Sequence, residues 1–122
     1  QVPVYLHNAN DEICLIVQAE TLKALDNLES ILALDSVHGV FLGPSDLAAS
    51  MGKIGQADDP ELHEACTNAI TTIKASGKIA GILSMNDTLI RKSVDAGADF
   101  IGVGVDTVAL GGALRALSEK HR

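Results

Sequence analysis

Two carboxylates in this sequence stand where chemistry is easiest to build. Glu20 closes the apolar run "ICLIVQAE" (13–20), and Asp46 lies within the stretch "GVFLGPSDLAASMG" (39–52), two residues after Pro44 of a Gly-Pro pair. If the runs are neighbouring parallel strands, about 4.8 Å apart, both side chains converge at one rim. A converging carboxylate pair makes either a hard-cation site or a proton-sharing dyad. With water completing the shell it suits Mg²⁺ or Mn²⁺. Pro44 lacks an N–H and has a fixed φ, so it fits the first turn of a short helix running through "DLAAS". The amides of Ser45 and Asp46 then point outward without helical partners, as donors for a carboxylate or phosphate oxygen. Cation and anion donors side by side suit an α-keto acid. Plainer roles are open to the same residues: Asp46 as a helix cap, Glu20 as a solvated residue opening the next helix.

The elements that must position these residues alternate. Strands are expected at 13–20, which reads as buried on both faces, and at 39–43, 78–84 and 99–106. Helices are expected at 21–34 with Thr21 as N-cap, at 58–77, at 86–97 and at 107–121. The second of these is well signalled, by Asp59 as cap, Pro60 at the first position and Gly77 past the end. Gly111 and Gly112 mark a weak point in the last. Four strand-then-helix units imply an α/β fold with parallel strands and right-handed crossovers. A (β/α)8 barrel takes about 250 residues, so four units in 122 residues amount to half a barrel. Residues 1–12 read as a lead-in loop to the first strand, and 13–122 as one domain of four units. The expectation is the C-terminal half of a larger TIM barrel.

Composition narrows the function classes. A net charge of −7 disfavours nucleic acid and anionic membrane surfaces, which call for basic patches. No run approaches the roughly 20 apolar residues of a membrane span and no signal peptide opens the chain, so a cytoplasmic location is expected. Cys14 and Cys66 read as buried, reduced thiols. His7, His38, His63 and His121 stand in loops or on helix faces without ligand spacing and read as surface residues. The stretch Gly102-Val103-Gly104-Val105-Asp106 lacks the third glycine of a dinucleotide loop. Its small residues suit a crowded strand. Leu83 and Val105, near strand ends, read as interior packing or as walls of a substrate pocket.

"ANDEICLIVQAET", "GVFLGPSDLAASMG", "SGKIAGIL" and "FIGVGVDT" together resemble the C-terminal half of the HpcH/HpaI aldolase/citrate lyase family, over essentially all of the chain. The Gln-x-Glu strand end joined to a Gly-Pro-x-Asp turn is specific in combination. The resemblance implies a metal-dependent, class II pyruvate aldolase of the 4-hydroxy-2-oxo acid type. Such an enzyme cleaves its substrate reversibly to pyruvate and an aldehyde through a metal-stabilised pyruvate enolate. It implies Glu20 and Asp46 as metal ligands for Mg²⁺, Mn²⁺ or Co²⁺, and Gln18 beside the keto acid. The Gly43-Pro44-Ser45-Asp46 turn would hold the pyruvate carboxylate on the amides of Ser45 and Asp46, while Leu83 and Val105 touch the rest of the substrate. Ser45 stands where near relatives often have alanine, which costs little because the amide carries the role. A catalytic histidine and an arginine are implied in the other half of the barrel, and none of the four histidines matches. A hexamer assembled as a trimer of dimers is implied as well. Two alternatives are an acyl-CoA lyase of the same superfamily and a non-catalytic half-barrel that needs a partner chain.

Overall fold

The computed structural model describes residues 2–122. Among them, four strands form one parallel sheet in the order β1-β2-β3-β4: β1 (Ile16–Ala19), β2 (Gly39–Leu42), β3 (Ile79–Leu83) and β4 (Phe100–Gly102). Each is succeeded by helix. α2 (Leu22–Asp26) and α3 (Leu28–Leu32) come after β1, α4 (Pro44–Ser50) and α5 (Pro60–Ala75) after β2, α6 (Asp87–Asp95) after β3, and α7 (Asp106–Lys120) after β4. The expected α/β arrangement of four units is therefore present, as half of a (β/α)8 barrel.

The side-chain period of two along a strand sorts the sheet into unlike faces. Val40, Leu42, Ala80 and Ile82 are fully buried, together with Leu62, Cys66, Ile70 and Ile73 of α5 and Leu89 of α6. Each large aliphatic side chain removed from water in this way contributes about 1.5–3 kcal/mol. The other face alternates large and small residues across the register. Gly39 pairs with Ile79 and Gly81 with Phe41, and Gly102 pairs with Leu83. A Cβ on Gly81 would lie 2.5 Å from Cδ2 of Phe41. The Phe41 ring needs that space to reach Phe100, at a centroid separation of 5.5 Å.

The long helix α5 begins as its sequence dictates. Asp59 accepts from the amides of Glu61 and Leu62, and Pro60 fills the first helical position. The chain turns at Gly77 with φ of 79°, a left-handed conformation that glycine adopts without a Cβ penalty. Thr21 caps α2 as expected, accepting from Ala24 N.

Several expectations need correction. Residues 2–12 are not a loop but a helix, α1 (Val2–Glu12); Gln1 lies outside the described residues. The first strand spans only 16–19 and is not buried on both faces, because β1 is at the sheet edge with Ile16 38% exposed. The 21–34 helix breaks at Asn27, whose side chain turns back onto the Lys23 carbonyl. The fourth strand ends at Gly102 instead of reaching 106. Gly111 and Gly112 do not interrupt α7. Cys14 is exposed, since it precedes the edge strand, while Cys66 is buried and burial pushes its thiol up to about 12. His63 is buried, not on the surface. Its Nε2 donates to the Ala57 carbonyl at 2.8 Å, a partner in the preceding loop that helical spacing does not reveal. No helix of the described residues is long and apolar enough to cross a membrane.

Candidate functional site

The C-terminal ends of β1, β2 and β3 meet around one cleft of about 550 Å³, lined by Gln18, the Gly43–Asp46 turn, Leu83 and Ser84 among others. Parallel register makes this convergence unavoidable: Ala19 stands beside Leu42 and Leu42 beside Ile82, so all three strands stop at one level. The segments that leave the strand ends therefore form the rim.

At the end of β1, Gln18 donates through Nε2 to Glu20 Oε2 at 2.6 Å. The next strand end is packed against this pair. A Cβ on Gly43 would come within 2.9 Å of Glu20 Oε2 and 3.1 Å of Gln18 Nε2, so a glycine is what lets the β2 turn approach. The backbone after Glu20 is held from two sides. Thr21 caps α2, and the Leu22 amide donates to Ser50 Oγ at the end of α4 at 3.0 Å. That bond ties the loop after β1 to the helix that carries Asp46.

α4 starts as the Gly-Pro pair dictates. Pro44 is its first residue, no side chain caps it, and its first intrahelical bond runs from Leu47 N to Gly43 O at 2.9 Å. The amides of Ser45 and Asp46 precede that bond and have no partner among the described residues. Ser45 and Asp46 are both exposed on the cleft. The Asp46 side chain does not act as the helix cap, since α4 has no side-chain cap bond.

Of the residues singled out in the sequence, Gln18, Gly43, Pro44, Ser45, Asp46 and Leu83 line the cleft. Glu20 adjoins it through Gln18 and Gly43. Val105 is not part of the lining; it is the residue before α7 and half-buried. Among the described residues no cluster of three or more His, Cys, Asp or Glu side chains is assembled for a metal. The available set is two carboxylates at adjacent strand ends, which leaves the remaining positions of a hard cation to water and ligand oxygens.

Sequence reasoning missed the loop between α4 and α5, which contributes Ile54, Gly55, Gln56 and Ala57 to the cleft. It is pinned by Lys53 to Asp59 at 2.7 Å and to Glu61 at 2.5 Å, by Asn86 Nδ2 to Asp58 at 2.5 Å and by His63 to Ala57. The Lys53 ammonium holds the Asp59 carboxyl below its ordinary range. Glycines flanking Lys53 and Ile54 signalled a shaped loop: Gly52 and Gly55 have φ of 73° and 77°.

Comparison with known proteins identifies the family. The chain is 47% identical over 120 residues to a protein of Salmonella paratyphi B named 4-hydroxy-2-oxo-heptane-1,7-dioate aldolase, a match covering 98% of this chain and 46% of the relative. The chain thus spans about half the length of the curated relatives it matches. Among solved structures, an HpcH/HpaI aldolase/citrate lyase family protein from Burkholderia cenocepacia superposes with a TM-score of 0.84 at 34% identity, over 97% of this chain and 46% of that one. An HpcH/HpaI aldolase from Desulfitobacterium hafniense gives 0.78 at 25% identity, over 98% and 47%. The family described as HpcH/HpaI aldolase/citrate lyase matches residues 2–112, and the chain belongs to it.

Proposed function

We propose that this chain carries the keto-acid seat of a metal-dependent pyruvate aldolase, which cleaves a 4-hydroxy-2-oxo acid reversibly to pyruvate and an aldehyde. The observation that carries this reading is the Gln18–Glu20 pair packed on Gly43, with the uncapped start of α4 directly after it. The likeness to a protein named as a hydroxy-oxo-dioate aldolase supports it.

Glu20 and Asp46 are the ligands for Mg²⁺, Mn²⁺ or Co²⁺, and the donor set fits: both are carboxylates at adjacent strand ends, and Glu20 is oriented by Gln18. When bound, the cation supplies Lewis acidity toward the keto oxygen. The protein's own groups do the positioning. The amides of Ser45 and Asp46 receive the carboxylate of the keto acid, favoured by the partial positive charge of unpaired N–H groups. Gly43 lets the turn approach Glu20, and Pro44 fixes the direction in which those amides point. Leu83, which lines the cleft, bounds the substrate on the β3 side.

The proton-transfer base and the arginine of the reaction are supplied from outside residues 1–122. Two of the four histidines support this division, because His63 is buried on the Ala57 carbonyl and His38 Nδ1 accepts from the Leu15 amide at 2.9 Å. Assembly into an oligomer is part of the same proposal. It is supported by α7, which buries none of its residues and exposes Val108, Leu110, Leu114 and Leu117.

The test is Asp46→Asn in the natural polypeptide that contains residues 1–122. Mn²⁺-dependent pyruvate release should be abolished and Mn²⁺ binding weakened. Full activity in that variant, with metal still bound, refutes the assignment.

A further inference from the structure

The β1–β2 ladder ends where the Gly43 amide donates to the Ala19 carbonyl at 3.2 Å, and Glu20 and Asp46 both lie beyond that last bond. From there the two segments part, residues 20–26 turning into α2 and residues 44–50 forming α4. Among the described residues, one hydrogen bond rejoins them, from the Leu22 amide to Ser50 Oγ at 3.0 Å. Each carboxylate is a short, stiff step from it. Glu20 is separated from Leu22 by Thr21 alone, whose backbone is extended at φ −139° and ψ 155°. Asp46 precedes Ser50 by four positions on α4, a spacing that puts both on one helix face.

Folding alone does not call for this bond. Leu22 is the first residue of α2, so its amide has no partner within the helix. The bond is nevertheless exposed, and a hydrogen bond that replaces one to water contributes little net stability. Thr21 already caps α2 through the Ala24 amide. Serine is also a weaker helix former than alanine, yet it closes α4. Water could satisfy the Leu22 donor, but it could not hold α2 and α4 at a fixed separation.

We propose that Ser50 is a positioning residue for the metal site: by accepting the Leu22 amide, its hydroxyl sets the separation of the Glu20 and Asp46 carboxylates before a divalent cation arrives. This rests on the proposed reading of those two residues as metal ligands. The division of labour is clear from the bonds. Gln18 orients the Glu20 side chain, while Ser50 fixes the backbone beneath it relative to α4. Ligand distances tolerate only about ±0.2 Å, so a tie between the two ligand-bearing segments acts on the cation even though it touches neither carboxylate.

The experiment is calorimetric titration of Mn²⁺ into the natural polypeptide containing residues 1–122 and into its Ser50→Ala, Ser50→Thr and Leu22→Pro variants. Ser50→Ala removes the acceptor. Leu22→Pro removes the donor where proline is tolerated, at the first position of a helix and after an extended residue. Each should lower Mn²⁺ affinity by about tenfold, the low end of what losing an orienting partner costs. The double variant should lose no more than either alone, because the same bond is broken. Ser50→Thr keeps the hydroxyl and should stay within about twofold of the parent, well short of that loss. In the metal-free protein, hydrogen exchange at the Leu22 amide should quicken in Ser50→Ala and not in Ser50→Thr, with the thermal transition of both close to the parent's. Mn²⁺ affinity in Ser50→Ala equal to the parent's, an equal loss in Ser50→Thr, or losses that multiply in the double variant overturn this inference alone. An unmodified protein that binds no Mn²⁺ overturns the metal-site reading and this inference with it.

Discussion

Replacing Gly43 with alanine separates function from stability at this site. The backbone there has φ of −108° and ψ of 86°, outside the left-handed region, so alanine adopts it without strain. The obstacle is the Cβ itself, which would sit 2.9 Å from Glu20 Oε2, where ordinary contact begins at 3.4 Å. Relief therefore needs a shift of about 0.5 Å, the difference between those two distances, by the carboxylate at the end of a flexible side chain, while Gln18 Nε2 and Glu20 Cβ, each at 3.1 Å, give by smaller amounts. That movement is cheap for folding. Alanine is a poorer helix N-cap than glycine, but it also stiffens the unfolded chain by about 0.4–1 kcal/mol. The opposing effects leave stability within about 1 kcal/mol. With Glu20 as the proposed metal ligand the displacement is costly, because ligand distances tolerate only about ±0.2 Å. The Gln18–Glu20 bond of 2.6 Å is disturbed by the same shift, and loss of an orienting partner typically costs about 10–100-fold in metal affinity. Gly43→Ala should accordingly weaken Mn²⁺ binding by about 10–100-fold in calorimetric titration, with the urea midpoint nearly unchanged. Mn²⁺ affinity within about twofold of the parent, far short of that range, would refute the reasoning.

Two further outcomes test the frame around the site. Gly81→Ala drives a Cβ to 2.5 Å from the Phe41 ring, an overpacking that should cost about 1–3 kcal/mol by chemical denaturation, with loss of the Phe41–Phe100 contact. Asp99 is paired with Lys74 at 2.7 Å and accepts from the Ala80 amide at 2.9 Å, and both hold its carboxyl below the ordinary value of 3.8. A depressed folded-state value contributes stability above the unfolded value and loses it as pH falls through the folded one. The stability difference between the parent and Asp99→Asn should therefore be full near neutral pH and shrink in acid, as pH falls below 3.8. A difference that stays constant across a urea-denaturation series from neutral pH into that acid range would contradict this.

The local signals that held are those whose cause lies within a few residues. Asp59, Pro60 and Gly77 bound α5 because a cap, a ring without an N–H and a left-handed glycine act on their own neighbours. The Gly43–Pro44 pair announced the uncapped start of α4 for the same reason. Alternation of strand and helix was enough for the parallel sheet, and therefore for the level at which Gln18, Asp46 and Leu83 meet. The failures share a cause too. Helix α1 has no acidic first turn or basic last turn to announce it. The run at 13–20 is apolar through most of its length, but only register against β2 decides that four residues pair and that Ile16 is at an open edge.

Tertiary structure alone decided the rest. A histidine at 63 looks the same on any helix face until the loop at 57 folds under it and accepts its N–H. Asp58 and Asn86 are far apart in sequence, so nothing local joins the loop carrying Ile54 to the segment carrying Met85. The sequence by itself singled out Glu20, Asp46 and the Gly43–Pro44 turn as groups at adjacent strand ends. The packing of one turn against another decided what lies across the cleft from them, because a wall is made by chain segments that meet only after the sheet has formed.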